Sequence, residues 1–149
     1  MRIAVVHGPN LQLLGRREPD VYGSGSLSEI DASLQQVAAE LAIDVESFQS
    51  NHEGELIDFI ADAGNRVQGF VVNAGGYTHT SIALRDALTG VGLPFVEVHL
   101  SNTSARERFR RHSFLAPVAA GVVYGFGAQS YLLGLRGLVA HIAGPATRD

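Results

Sequence analysis

The 149-residue chain contains no cysteine, which excludes disulfide frameworks, thiolate zinc sites, iron–sulfur clusters and a cysteine nucleophile. Lysine is absent as well, and all 11 basic residues are arginines. Schiff-base catalysis, attachment of pyridoxal phosphate and a P-loop lysine are thereby excluded. Charge is sparse, with 17% charged residues and a net charge of −4, so the chain as a whole has no basic footprint for nucleic acid. Small anions can still bind where arginines cluster. Long hydrophobic runs are missing too. The apolar stretch 131–143 is cut by Arg136 and His141 and is short of the roughly 20 residues that span a bilayer. The apolar start of the chain breaks at His7-Gly8-Pro9 without the length or cleavage pattern of a signal peptide. The expectation is a cytoplasmic protein with no membrane partner.

With 46% hydrophobic residues and little net charge, the composition lies outside the regime of disordered chains. The length suits one domain spanning residues 1–149. Whatever chemistry it performs must come from His, Tyr, Arg, Asp, Glu, Ser, Thr, Asn or a bound cofactor.

Short β-branched apolar runs recur at residues 3–6, 45–48, 70–72, 95–100 and 121–124, each followed by a polar or glycine-containing turn and then helix-like periodicity. The first helix shows an apolar stripe of Ile30, Leu34, Val37, Ala38 and Leu41, with Ser26 and Glu29 spaced as a capping box. Ser50 and Glu53 have the same S-x-x-E spacing and predict the start of the second helix. Further helices are expected over about residues 81–88 and 129–142, and a short one in the arginine-rich stretch 100–113. Five βα units with right-handed crossovers predict an α/β fold, a flavodoxin-like three-layer sandwich with a five-stranded parallel sheet. The one long irregular connection, 8–25, is of a length that usually carries function.

Ligands of such a sheet bind outside the carboxyl ends of its strands. Three of those ends carry hydrogen-bonding side chains: His7 to Asn10, Asn73 to His79, and Glu97 to Asn102. The fifth, Gly125-Phe126-Gly127, resembles a truncated dinucleotide fingerprint but has no acidic partner downstream, and reads as a tight turn. The six histidines, at 7, 52, 79, 99, 112 and 141, show no paired ligand spacing, so no metal site is expected. His7 reads as a strand-end structural residue, while His79 and His99 sit on the functional rim.

The long connection holds Arg16, Arg17 and Tyr22 between glycines. Guanidinium beside a phenol favours the phenolate. Carrying a phenol from its usual pKa to neutrality costs roughly 4 kcal/mol, which arginine supplies only in a desolvated site. A lid closing over substrate would provide that desolvation; the alternative is a solvated surface loop. The stretch 104–112 is equally open to two readings, a charged helix face or an anion-recognition element in which Arg110 acts with backbone N–H groups near Leu100 and Ser101.

These blocks, taken together, resemble the type II 3-dehydroquinate dehydratases. The resemblance rests on Gly8-Pro9-Asn10-Leu11, Arg17-Glu18-Pro19, Tyr22-Gly23, Gln49-Ser50-Asn51, Asn73 to Ser81, Arg85-Asp86, Glu97 to Asn102 and Arg106 to Arg110, in order and over nearly the whole chain. Ala74 and Gln12 depart from the residues common in that family, proline and asparagine. The resemblance implies dehydration of 3-dehydroquinate to 3-dehydroshikimate, an anti elimination through an enolate with no metal or organic cofactor. It implies Tyr22 as the base at C2, Arg17 as the group that lowers its pKa, and Asn10 as the holder of a water against the enolate. His99, oriented by Glu97, becomes the general acid, and Asn73, His79, Arg110 and the Leu100 and Ser101 backbone bind substrate. Asp86 is expected to reach a neighbouring subunit's site in a homododecamer built as a tetramer of trimers. On the sequence alone Asp86 is more simply an exposed helix residue paired with Arg85. Two other classes stay open on residues alone, a flavin-binding electron carrier and a non-catalytic scaffold.

Overall fold

The computed structural model describes residues 1–16, 20 and 25–144. Five strands, β1 (Arg2–His7), β2 (Asp44–Gln49), β3 (Gly69–Asn73), β4 (Phe95–His99) and β5 (Gly121–Tyr124), form one sheet in the order β2-β1-β3-β4-β5. All four pairings are parallel. Among the described residues, the helices α1 (Leu27–Leu41), α2 (Glu53–Ala63), α3 (Ile82–Val91) and α4 (Gln129–Ala143) cover it. This is the expected three-layer α/β arrangement with the flavodoxin-like strand order.

Strand alternation decides which side chain meets which helix. Ile3, Val5, Val71, Val96 and Val98 point to one face, where they pack with Ile30, Leu34 and Val37 of α1 and Tyr131, Leu135 and Leu138 of α4. Ala4, Val6, Phe70, Val72 and Phe95 point to the other, against Leu56 and Ile60 of α2 and Leu84 and Leu88 of α3. The central strands β3 and β4 are therefore buried on both sides, which is why their sequences are almost wholly apolar until the last residues. At Gly134 α4 lies so close to β4 that an added Cβ would sit 2.5 Å from Val98 Cγ1.

Two local expectations need correction. Ser26 does cap α1, accepting the Glu29 N–H at 3.2 Å, but Ser50 does not cap α2. That helix starts at Glu53 with His52 flanking it. Ser50, buried at the end of β2, instead donates its hydroxyl to the Glu55 carboxylate at 2.5 Å and accepts the His52 N–H at 2.9 Å. It lies two residues before the flanking His52, too early to reach the free amides of the first turn. The arginine-rich stretch forms two separate 3-10 turns, Thr103–Ala105 and Arg108–Arg110, rather than one helix. The extended backbone of Arg106 divides them, and the stretch has no apolar stripe to bury, since Phe109 is 66% exposed. The Gly125-Phe126-Gly127 segment is a tight turn, with the Gly127 N–H donated to the Leu100 carbonyl at 2.9 Å.

Candidate active site

Register brings the polar strand ends to one edge. His7 lies opposite Asn73 across the β1–β3 pairing, and His99 closes β4 on the far side of β3. Immediately beyond them is a cleft lined by Asn10 and Leu14 after β1, by Asn73, Gly76 and His79 after β3, and by His99, Leu100, Ser101, Thr103, Arg106 and Arg110 after β4.

The chain leaving β1 reaches this cleft through a close backbone approach. At Gly8 a Cβ would fall 2.3 Å from the Ala74 carbonyl oxygen, so no other residue fits. Asn10 follows in the left-handed region at φ 68°, a conformation asparagine tolerates better than most residues. Its N–H is donated to Asn51 Oδ1 at 2.9 Å, which ties the turn to the end of β2. Leu11 and Leu14 then anchor the next turn in the core.

Glu97 and His99 share one side of β4 because they are two residues apart. Glu97 is 2% exposed and places Oε2 3.1 Å from His99 Nε2. Its Oε1 accepts the Ser113 hydroxyl. Ser113 Oγ in turn accepts the N–H groups of Leu115 at 3.0 Å and Ala116 at 2.9 Å, so its only hydrogen is committed to the carboxylate. The carboxylate is held from behind and faces His99 Nε2, while the ring borders the cleft.

His79 is fixed differently. Its Nδ1 donates to the His112 carbonyl at 2.7 Å, leaving Nε2 as an acceptor. Burial pushes its pKa below the usual histidine value, helped by the nearby charges of His99 and Arg110 and opposed by the His112 bond. Arg110 donates to the Glu107 carboxylate at 2.6 Å and holds its guanidinium 5.0 Å from the centre of the Phe109 ring. A neutral imidazole acceptor, an amide, an arginine and a carboxylate-backed histidine thus face one cavity. Such a set suits a small anionic, hydroxylated molecule and proton transfer to it. Among the described residues, no group of three or more His, Cys, Asp or Glu side chains could hold a metal ion, and no helix is long and apolar enough to cross a membrane.

Residues 1–139 match the family model described as dehydroquinase class II. The chain belongs to the class II dehydroquinase family. Relatives similar to it include the 3-dehydroquinate dehydratase of Nostoc sp., 59% identical over 97% of this chain and 98% of that one. The enzyme of the same name from Gloeobacter violaceus is 56% identical over all of this chain and 93% of its own. The crystal structure of type II dehydroquinase from Butyrivibrio crossotus superposes with a TM-score of 0.92 at 40% identity, covering 94% of this chain and 98% of that one.

Of the residues singled out for this class II dehydroquinase, Asn10, Asn73, His79, His99, Leu100, Ser101 and Arg110 come together at the cleft, with Glu97 directly behind His99. Tyr22 and Arg17 lie outside the described residues. Asp86 is exposed on α3 and does not line the cleft of its own chain. Arg85, expected beside it as a partner, instead donates to the Phe114 carbonyl at 3.2 Å. Thr103 and Arg106 also line the cleft, and Ser113 braces Glu97, without having been singled out. A further group behind Asn73, made of His7, Asp31 and Tyr131, was missed as a unit. Its only sequence signal is parity: His7 and Asn73 are in phase with Val5 and Val71, which face α1 and α4.

Proposed function

We propose that the protein dehydrates 3-dehydroquinate to 3-dehydroshikimate, with no metal or organic cofactor, by anti elimination through an enolate. The observation that supports this reading most is His99, backed at 3.1 Å by a buried carboxylate and opening on a cleft that also presents Asn10, Asn73, His79 and Arg110.

In this reading the Tyr22 phenolate, its pKa lowered by Arg17, removes a proton from C2, and the electron pair of that C–H bond becomes the enolate. Asn10 holds a water against the enolate oxygen, where charge develops. The enolate then collapses to the enone and expels hydroxide from the neighbouring carbon. His99, as imidazolium, holds one proton towards Glu97 and gives the other to the departing oxygen, so water leaves and a neutral ring remains. Asn73, His79, Arg110 and the Leu100 and Ser101 backbone bind the carboxylate and ring hydroxyls. The active unit is one catalytic domain, residues 1–149, working in the cytoplasm on the shikimate pathway. Twelve copies assemble as a tetramer of trimers, with Asp86 reaching the cleft of a neighbouring subunit.

The test is the appearance of enone absorbance when purified protein meets 3-dehydroquinate. Wild-type protein forms the product. Tyr22→Phe lowers kcat by about 10²- to 10⁴-fold, the usual worth of a general base, while substrate still binds. Wild-type turnover in that variant contradicts the assignment.

A further inference from the structure

We propose that Asp31, acting through His7 and Tyr131, is a positioning residue that sets which end of the Asn73 amide faces the cleft; this inference rests on the reading of Asn73 as a substrate-binding group. The four side chains come from α1, β1, α4 and β3. His7 and Tyr131 are fully buried and Asn73 is 3% exposed, while the Asp31 side chain remains 35% accessible at the outer end. Asn73 Nδ2 donates to the Tyr131 hydroxyl at 3.0 Å. That hydroxyl lies 2.9 Å from His7 Nδ1, and His7 Nε2 lies 2.8 Å from Asp31 Oδ1.

The chemistry of the two ends fixes the direction of every bond between them. An amide nitrogen only donates and a carboxylate only accepts. Tyr131 already accepts from Asn73, so its one hydrogen must go to His7 Nδ1, and His7 must carry its own proton on Nε2 to give to Asp31. Protonating both ring nitrogens would leave the Tyr131 hydrogen buried without an acceptor. Burial drives the Tyr131 pKa far above the usual phenol value, which keeps it a neutral donor. Burial also works to raise the Asp31 pKa, but it is lowered on balance, with the hydrogen bonds from His7 and Ser47 favouring the ionised carboxylate.

At the inner end, Asn73 Oδ1 accepts the Gly75 N–H at 3.2 Å. A flipped amide would point its NH₂ at that N–H and its carbonyl at a hydroxyl whose hydrogen is already engaged. The amide therefore has one orientation, and its second Nδ2 hydrogen is the donor left over. Without Asp31 the His7 proton loses its acceptor, the other tautomer becomes competitive, and the Tyr131 hydroxyl is free to turn its hydrogen towards Asn73. The constraint on the amide is then released.

The test is a double-mutant cycle with 3-dehydroquinate as substrate. Asp31→Ala is expected to raise KM about tenfold, with a much smaller change in kcat. In an Asn73→Ala background the same substitution should have no further effect on KM, because the group it positions is gone. A purely structural loss would lower the unfolding midpoint without that background dependence. If Asp31→Ala does not fold, Tyr131→Phe interrupts the chain with little change of shape and carries the same two expectations. An unchanged KM in the single variant overturns the inference, as does a KM effect that persists in the Asn73→Ala background. Failure of the wild type to turn over 3-dehydroquinate, or an Asn73→Ala variant with wild-type KM, strikes the functional reading instead.

Discussion

Two histidine–carboxylate pairs stand at the same edge of the sheet, and they differ in what surrounds them rather than in what they are. His7 meets Asp31 at 2.8 Å and His99 meets Glu97 at 3.1 Å. The His7 ring lies between α1 and α4, with its second nitrogen 2.9 Å from the Tyr131 hydroxyl and no accessible surface. The His99 ring lies on the opposite side of the sheet and borders the cleft. In the first pair both nitrogens are spent inside the protein, so the histidine can only hold other groups in place. In the second, one nitrogen faces the carboxylate and the other has no hydrogen-bond partner among the described residues, as the proposed proton transfer to substrate requires. Parity along the strands assigns the two roles: His7 follows Ile3 and Val5, while His99 follows Phe95 and Glu97.

The largest expected effect sharpens this contrast. His99→Ala lowers kcat by about 10²- to 10⁴-fold, as loss of a general acid does. His7→Ala changes kcat far less. Steady-state kinetics on the two variants side by side check this, and equal losses of kcat would dissolve the distinction. Glu97→Gln comes next. An amide at this position can hold the wrong tautomer of the imidazole, an error that reaches about 10⁴-fold in the serine-protease triad. A fall in kcat of at least about tenfold, with little change in binding, is expected in the same assay.

The third effect is on stability and falls on the other pair. His7→Ala leaves the buried Tyr131 hydroxyl hydrogen without its acceptor, and a buried polar group left unsatisfied costs about 1–3 kcal/mol, while Asp31, partly open to solvent and bonded to Ser47, loses less. Urea unfolding should show that loss, and an unchanged midpoint would mean that the pair contributes nothing to the fold.

Much of this arrangement is legible in the sequence, and the parts that are not have physical reasons. Asn10, Asn73, His79, Glu97 and His99 could be placed on one rim because βα alternation sends every strand end to the same edge. Asp31 gave no such signal. It follows Ile30 in a helix and looks like one more solvent-facing acid, until the strand order sets α1 beside β1. Tyr131 belongs to the apolar stripe of α4, and its hydroxyl acquires a role only from what lies across the sheet. Ser113 comes from an irregular segment without periodicity, so nothing in the spacing points it at Glu97. The Ser50 cap shows the reverse error: an S-x-x-E spacing is satisfied in the chain, while the turn leaving β2 gives the serine different partners.

The smallest expected effects are on pH dependence. The His79 pKa is depressed in the folded state, so below the usual histidine value of 6.5 the unfolded chain binds more protons than the native one. Stability therefore falls as pH drops through that value and stops falling below the folded pKa. His79→Gln should flatten the slope between pH ~7.5 and ~5.5 in urea titrations; an unchanged slope would assign it to other groups. For Asp31 the folded pKa is also lowered, from 3.8, so its contribution is complete above that value and is lost as pH falls through the folded pKa. The two losses are separable because they occupy different pH windows.

The central claim divides the reaction between a base that acts at C2 and an acid, His99, that acts afterwards on the departing oxygen. Incubation of His99→Ala with 3-dehydroquinate in deuterium oxide tests that division most directly. If His99 serves only the second step, the variant incorporates deuterium at C2 of recovered substrate while enone formation falls by orders of magnitude. Enone formation at the wild-type rate, or loss of C2 exchange together with elimination, contradicts it.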